Sequence, residues 1–387
     1  MRFRHRDGTL VHLSYCTNVH PAVDLDGVRA QLVRFAAPVR ERLGAPVLGV
    51  GLWLAAPVAA RLAADTDERR SLRELLDRLG LEVVTLNGFP HDDFGTGRVK
   101  KRVYEPDWVH VDRLRYTQDL AVVLADLLPG DAAGGSISPL PLAWREPWSD
   151  EQQRAAEAQL DRLARFLDRL EEDTGRRVRV AVEPEPGCVV ETTAQAVDRL
   201  ASVDRARVGV CVDTAHLAVA WEEPAEAVGR LQGADLDVVK AQLSAALHVE
   251  HPGDAGTLEV LRRFDEDRYL HQVRPGARPG TGAPAGWDDL GEAFAHADGT
   301  PWRVHFHLPL GAEPAPPLAS TRATLRGSLR ALVGGDRALT DHLDVETYTW
   351  TVLPDPPGSD DELVAGLAAE LAWARDELVL AGLEEAT

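Results

Sequence analysis

The chain reads as an α/β protein folded into a single (β/α)8 barrel, with residues 1–387 forming one domain. Three observations predict this. Short apolar stretches alternate along the chain with longer amphipathic ones, the pattern of a parallel sheet covered by helices. Polar residues recur just past the apolar stretches, at the end where such barrels carry their sites. No G-x-G-x-x-G follows the first apolar stretch and no G-x-x-x-x-G-K-[ST] occurs anywhere. That weighs against the alternative, a doubly wound nucleotide-binding sheet.

The elements follow in order. Residues 10–18 (L-V-H-L-S-Y-C-T-N) form a first strand, and Leu25, Val28, Leu32 and Phe35 give 24–43 a helical period. Residues 46–54 (P-V-L-G-V-G-L-W-L) are strand two, 55–79 a helix with Gly80 as its C-cap, and 81–86 strand three. The mixed-charge stretch 92–107 is a loop whose basic run, Arg98–Arg102, reads as solvated. A helix at 108–128 and strand four at 136–142 come next. The helix at 150–173 is apolar at Leu160, Leu163, Phe166, Leu167 and Leu170, and strand five is 178–182.

After a helix at 192–202, strand six is the opening of V-G-V-C-V-D-T-A-H-L at 208–217. A helix at 224–231 and strand seven at 238–243 follow, and then the pattern loosens over about 248–312. That region holds a strand-like R-V-H-F-H-L at 303–308 and a Pro/Gly-rich, mobile insertion at 275–286. A helix at 320–332, a strand at 342–348 and a helix at 360–383 close the chain. Eight of nine candidate strands suffice for the barrel, and 303–308 reads as part of an elaborated loop after strand seven.

Charge and cysteines limit the function classes. With 42 Lys plus Arg against 62 Asp plus Glu the net charge is −20, which repels nucleic acid and anionic lipid. Cys16, Cys188 and Cys211 show no paired metal spacing and behave as small buried hydrophobes in a reduced setting. No apolar h-region opens the chain and no run of 18 apolar residues occurs, so a cytoplasmic protein without membrane insertion is expected. The oligomeric state is not legible.

Candidate chemistry collects at the strand ends. They offer Asn18 and His20, Asn87 and His91, Glu183 and Glu185, Asp213 and His216, Gln242 and Ser244, His305 and His307, and Glu346. Each has a plainer reading. Asp213 is a good N-cap, Glu183 a strand terminus, Gln242 a hydrogen-bonded strand residue, and Trp53 and Phe89 core or rim packing. Together, Glu183, Asp213 and Glu346 could not stay ionised when buried without a compensating cation. Carboxylates with imidazoles suit divalent Zn, Mn, Fe, Co or Mg. Such an ion acts as a Lewis acid on a hydroxyl–carbonyl unit, while flanking carboxylates move the proton.

The order A-V-E-P-E-P, D-T-A-H and V-E-T-Y resembles the xylose-isomerase-like barrels, sugar phosphate isomerases and epimerases with endonuclease IV as a distant relative. More closely, H-L-S-Y-C-T-N-V-H-P, E-P-E-P-G-C, D-T-A-H, R-Y-L-H-Q, V-H-F-H-L-P and V-E-T-Y-T-W look like EboE-type metabolite-traffic proteins. The resemblance implies a metal set of Glu183, Asp213, Gln242, Glu346, His216 and His307, with Glu183 and Glu346 catalytic. It implies substrate contacts from Asn18, His20, Asn87, His91, His305 and Tyr348. Gln242 departs from it, standing where relatives place a histidine, and His305-x-His307 makes up the deficit. The implied activity is metal-dependent isomerisation or epimerisation of a small sugar-like or polyol metabolite, in secondary-metabolite processing or traffic. A non-catalytic binding protein and a metal-dependent phosphodiesterase are the alternatives, and the −20 charge opposes the last.

Overall fold

The computed structural model describes residues 1–276 and 286–386. The predicted Pro/Gly-rich insertion therefore lies, from 277 to 285, outside the described residues. Eight parallel strands form the barrel: β1 (Leu10–Cys16), β2 (Leu48–Trp53), β3 in two pieces (Leu81–Glu82 and Thr85–Gly88) and β4 (Gly135–Pro139). β5 (Val178–Val182), β6 (Val208–Asp213), β7 (Val238–Leu243) and β8 (His342–Val345) complete it. The closure is direct, since β8 pairs back on β1 with His342 opposite His12 and Val345 opposite Tyr15. Runs such as Val-Arg-Val-Ala-Val and Val-Gly-Val-Cys-Val are apolar on both faces because one side meets the helices and the other the barrel interior.

The helices follow their local signals. Ser149 and Gln152 form a capping box on Asp150–Thr174, and Gly80 and Gly175 close theirs in the left-handed region. The helix predicted over 55–79 is two, Ala56–Ala64 and Thr66–Leu79. Asp65 divides them, its carboxylate accepting from the amides of Asp67 and Glu68 in place of a helical continuation. The strand predicted to 348 stops at Val345, and a 3-10 turn runs Tyr348–Val352. Two antiparallel strands, Arg2–Arg4 and Glu384–Ala386, extend the sheet on β1. They are too short and polar to be read from pattern. No helix among the described residues is long and apolar enough to cross a membrane.

The elaboration between β7 and β8 carries a four-stranded sheet of Leu247–Val249, Val273–Pro275, Trp302–Val304 and Ala319–Ser320. It has its own apolar cluster, with Leu247, Leu261, Val273, Trp302 and Phe306 buried. Of the segment expected as a strand at 303–308, only its start is one. The alternation survives: Phe306 enters that cluster, so His305 and His307 on either side turn to the barrel. This anchoring positions the elaboration over the C-terminal end of the strands.

The barrel axis is polar below that end. Lys240 of β7 and Asp344 of β8, both fully buried, form an ion pair at 3.0 Å. Glycine is required opposite: a Cβ on Gly51 would lie 2.2 Å from Asp344 Oδ2.

Candidate functional site

Above the Lys240–Asp344 layer, the ends of β1, β3, β5, β6, β7 and β8 add buried polar groups. Asp213 is the last residue of β6 and the N-cap of a short helix, Thr214–Val219. Its Oδ1 accepts from the amides of Ala215 (2.8 Å) and His216 (2.9 Å) and from the Ser244 hydroxyl (2.7 Å). Its Oδ2 is buried without a partner. One oxygen caps the helix and the other is left over.

Gln242, inside β7, bridges the two glutamates. Its amide nitrogen donates to Glu183 Oε1 at 2.5 Å and to Glu346 Oε2 in a short contact, and its carbonyl oxygen has no partner. Glu346, just past β8, takes two further donors on Oε1, Asn18 at 2.6 Å and Asn87 at 2.9 Å. Glu183 Oε2 is buried and unpartnered.

Three imidazoles complete the cup, and their tautomers follow from their partners. Nδ1 of His216 faces the Pro184 carbonyl at 2.9 Å, and Nδ1 of His307 the Glu346 carbonyl at 2.9 Å. Nδ1 of His305 faces Gln272 Oε1 at 2.7 Å. Each of these oxygens only accepts, so each Nδ1 carries a proton. The Nε2 atoms of His216 and His305 stand 3.0 Å apart, while that of His307 is buried without a partner.

The electrostatics agree with this reading. Burial, then Glu346 and Asp213, pushes the Glu183 carboxyl well up. Burial, then Asp213, pushes Glu346 up to about 8. Burial opposes ionisation of Asp213 too, but His216, His307 and its hydrogen bonds hold it below the usual range. Burial lowers His307 to about 4 and His305 further, keeping both neutral.

A buried acceptor without a donor costs about 1–3 kcal/mol, and here Glu183 Oε2, Asp213 Oδ2, Gln242 Oε1 and His307 Nε2 share one cup. The donor atoms of Glu183, Asp213 and His216 lie within 4.8 Å of one another, as do those of Asp213, His307 and Glu346 and those of the three histidines. Ligands at about 2.0–2.6 Å from one ion are at most about 5 Å apart, so these sets fit a divalent cation. Oxygen with imidazole suits Zn, Mn, Fe or Co, and a shared Gln242 oxygen is a neutral addition.

The structure thus brings together Asn18, Asn87, Glu183, Asp213, His216, Gln242, His305, His307, Glu346 and Tyr348. It does not bring His20 or His91, the correction to the expected substrate contacts. After β1 the chain makes a 3-10 turn, Thr17–Val19, which carries His20 away to bond the Tyr15 hydroxyl at 3.0 Å and stack on Phe35. His91 turns outward because the preceding Pro90 carbonyl is held by Trp53 (2.8 Å) and Tyr116 (3.0 Å), leaving its ring on Tyr116.

Tyr104 and Gln272, unmarked by the sequence, hold Glu185 and His305 in place. The Tyr104 hydroxyl donates to Glu185 at 2.6 Å, Gln272 donates to Tyr104 at 2.9 Å, and Gln272 accepts from His305. Burial raises the Glu185 carboxyl to about 7. Tyr104 and Gln272 are 168 residues apart, so no local pattern links them. The basic run is not simply solvated: Lys100 pairs with Asp289 at 2.6 Å, and Val99, Val103 and Tyr104 face a cavity of about 50 Å³ above the cup.

Residues 42–293 match the family described as Xylose isomerase-like TIM barrel, more than half of the chain. No curated protein matches. Among solved structures, an L-ribulose 3-epimerase superposes with TM-score 0.52 at 13% identity, over 96% of this chain and 95% of that one. A xylose isomerase domain protein from Alicyclobacillus acidocaldarius subsp. acidocaldarius gives 0.51 at 14% identity, over 95% and 99%. At these identities the likeness shows the fold.

Proposed function

The chain belongs to the xylose isomerase-like TIM-barrel family, and from that premise we propose that it is a divalent-metal-dependent isomerase or epimerase. Its substrate in this reading is a small sugar-like or polyol metabolite. The observation that carries the reading is the set of four unpartnered buried acceptors, delivered to one cup from β5, β6, β7 and the elaboration. Glu183, Asp213, Gln242, Glu346, His216 and His307 would hold the ion. When bound, it supplies Lewis-acid polarisation of a hydroxyl–carbonyl unit.

The chain's own groups do the rest. Gln242 holds Glu183 and Glu346 on either side of the cup through a single amide nitrogen. Glu346, with donors on both oxygens, is the oriented carboxylate. Glu183, with Oε2 free, is the one able to take a proton from a substrate carbon and return it. Burial and the neighbouring carboxylates raise its proton affinity, as suits a group that takes and returns a proton.

The resemblance to EboE-type metabolite-traffic proteins supports a place in processing or moving a secondary-metabolite precursor. A second reading, binding without turnover, draws on Gln242, which replaces a charged or imidazole ligand with a neutral one. Incubation of the Mn-loaded protein with dihydroxyacetone and with 2-hydroxyacetophenone in deuterated water separates the two. Exchange of the α-hydrogen, lost in Glu183→Gln, is the expected outcome. Retention of ligand without exchange would favour traffic alone.

A further inference from the structure

The cavity above the cup has two unlike halves. Its floor is the carboxylate and imidazole set. Its walls and roof are Phe89, Phe94, Val103, Tyr269, Leu270 and Tyr348. The rings of Phe94, Tyr269 and Tyr348 pack mutually at 4.9–5.4 Å, and Tyr348 continues the wall down to His307 at 4.9 Å. Two lining tyrosines have their hydroxyls engaged elsewhere: Tyr269 donates to the Phe94 carbonyl at 3.2 Å and Tyr104 to Glu185. They therefore offer ring surface, not hydrogen bonds, to an occupant.

Two substrate classes fit this poorly. A free hexose carries hydroxyls around its whole ring, and those above the floor would be buried without partners, which is costly. A sugar phosphate needs a cation or a cluster of N–H donors. Among the described lining residues the lysine, Lys100, is already held by Asp289 at 2.6 Å and by the Glu266 carbonyl at 3.1 Å.

We propose that the occupant is a two-part molecule, a small oxygen-chelating head on the cup joined to an apolar, ring-bearing tail held by Phe94, Tyr269 and Tyr348. The proposal rests on the metal reading above for its head and on the aromatic wall for its tail. Edge and face contacts between the tail and these rings, together with burial of its apolar surface, supply the added affinity.

Hydroxamates test it, because they present a chelating head with a tail of choice. The Mn-loaded protein is titrated by calorimetry with acetohydroxamate and with benzohydroxamate, and the titrations are repeated on metal-free protein and on Tyr269→Ala. Binding of benzohydroxamate at least tenfold tighter than acetohydroxamate, with the margin reduced to about twofold in Tyr269→Ala, is expected. Equal affinity of the two on the wild type overturns the tail and leaves the metal reading standing. Benzohydroxamate binding unchanged by metal removal keeps the tail and overturns the metal reading. No binding of either overturns both. Fructose 6-phosphate binding tighter than benzohydroxamate would also overturn the two-part occupant. The wild-type comparison decides the matter even if Tyr269→Ala does not fold.

Discussion

At the N-terminal end of the barrel, Glu82 accepts from Arg2 at 2.6 and 2.9 Å and from His12 at 3.1 Å, and Arg2 is itself held by Asp131. At the C-terminal end, Glu183, Asp213 and Glu346 face three histidines and one amide. Both clusters are buried, acidic and imidazole-bearing. In the first, both carboxylate oxygens of Glu82 have donors. In the second, acceptors outnumber donors and four remain unpartnered. The proton affinities show the same contrast. Glu82 is held down to about 2, its burial outweighed by His12 and Arg2, while burial and neighbouring carboxylates raise Glu346 to about 8. The barrel neutralises one end with its own cations and leaves buried acceptors without donors at the other.

The comparison breaks most sharply under matched substitutions. Glu183→Gln should reduce metal affinity at least about 1,000-fold, roughly 4 kcal/mol. The metal-free variant should unfold at the same or higher temperature, since one repelling carboxylate is gone. Glu82→Gln should do the opposite: about 3 kcal/mol of stability lost in denaturant titration, because Arg2 and His12 lose their partner, with metal content unchanged. A Glu183→Gln protein that retains metal, or a Glu82→Gln protein that loses it, would remove the distinction.

A smaller effect is expected one shell out. Tyr104→Phe deletes the hydroxyl between Glu185 and Gln272, loosening the acceptor that fixes the His305 tautomer. His305 stands 3.0 Å from His216, one of the proposed ligands, so metal affinity should fall about 10-fold by competitive chelation. An unchanged affinity would show that His305 is oriented by packing alone.

The pH dependence sharpens the contrast with opposite signs. Glu346 has a folded value above its ordinary 4.5, so its contribution favours the metal-free fold below that value and is lost as pH rises through about 8. Glu82 has a folded value below 4.5, so its contribution is present above that value and is lost as pH falls through about 2. The thermal unfolding midpoint of metal-free protein should therefore fall from pH 5 toward pH 8, and added metal should raise the midpoint more at pH 8 than at pH 6. A metal gain independent of pH would contradict the cup's carboxylates as ligands.

Much of this was legible in the chain because it repeats. Strands such as Val178–Val182 and Val208–Asp213 declare themselves by recurring valines, and polar residues at or just past their ends point at the mouth. Glu183, Asp213, His216 and Glu346 were readable for that reason. His20 and His91 obeyed the same positional rule and still left the site, because a turn and a pinned proline carbonyl decide side-chain direction within two residues. Tyr104 and Gln272 were unreadable for another reason: they come from a long loop and an elaboration that meet only in three dimensions. The terminal strands, three residues each, pair through backbone groups and leave little trace in side-chain pattern.

The central claim is that the C-terminal cup is completed by a divalent cation. Elemental analysis tests it most directly. Wild type and Asp213→Asn are equilibrated with an equimolar mixture of Zn, Mn, Co and Mg ions, desalted, and measured. The account predicts about one ion per wild-type chain and at least a tenfold lower content in Asp213→Asn, at matching circular dichroism. Equal metal content in the two proteins, or none in either, would contradict it.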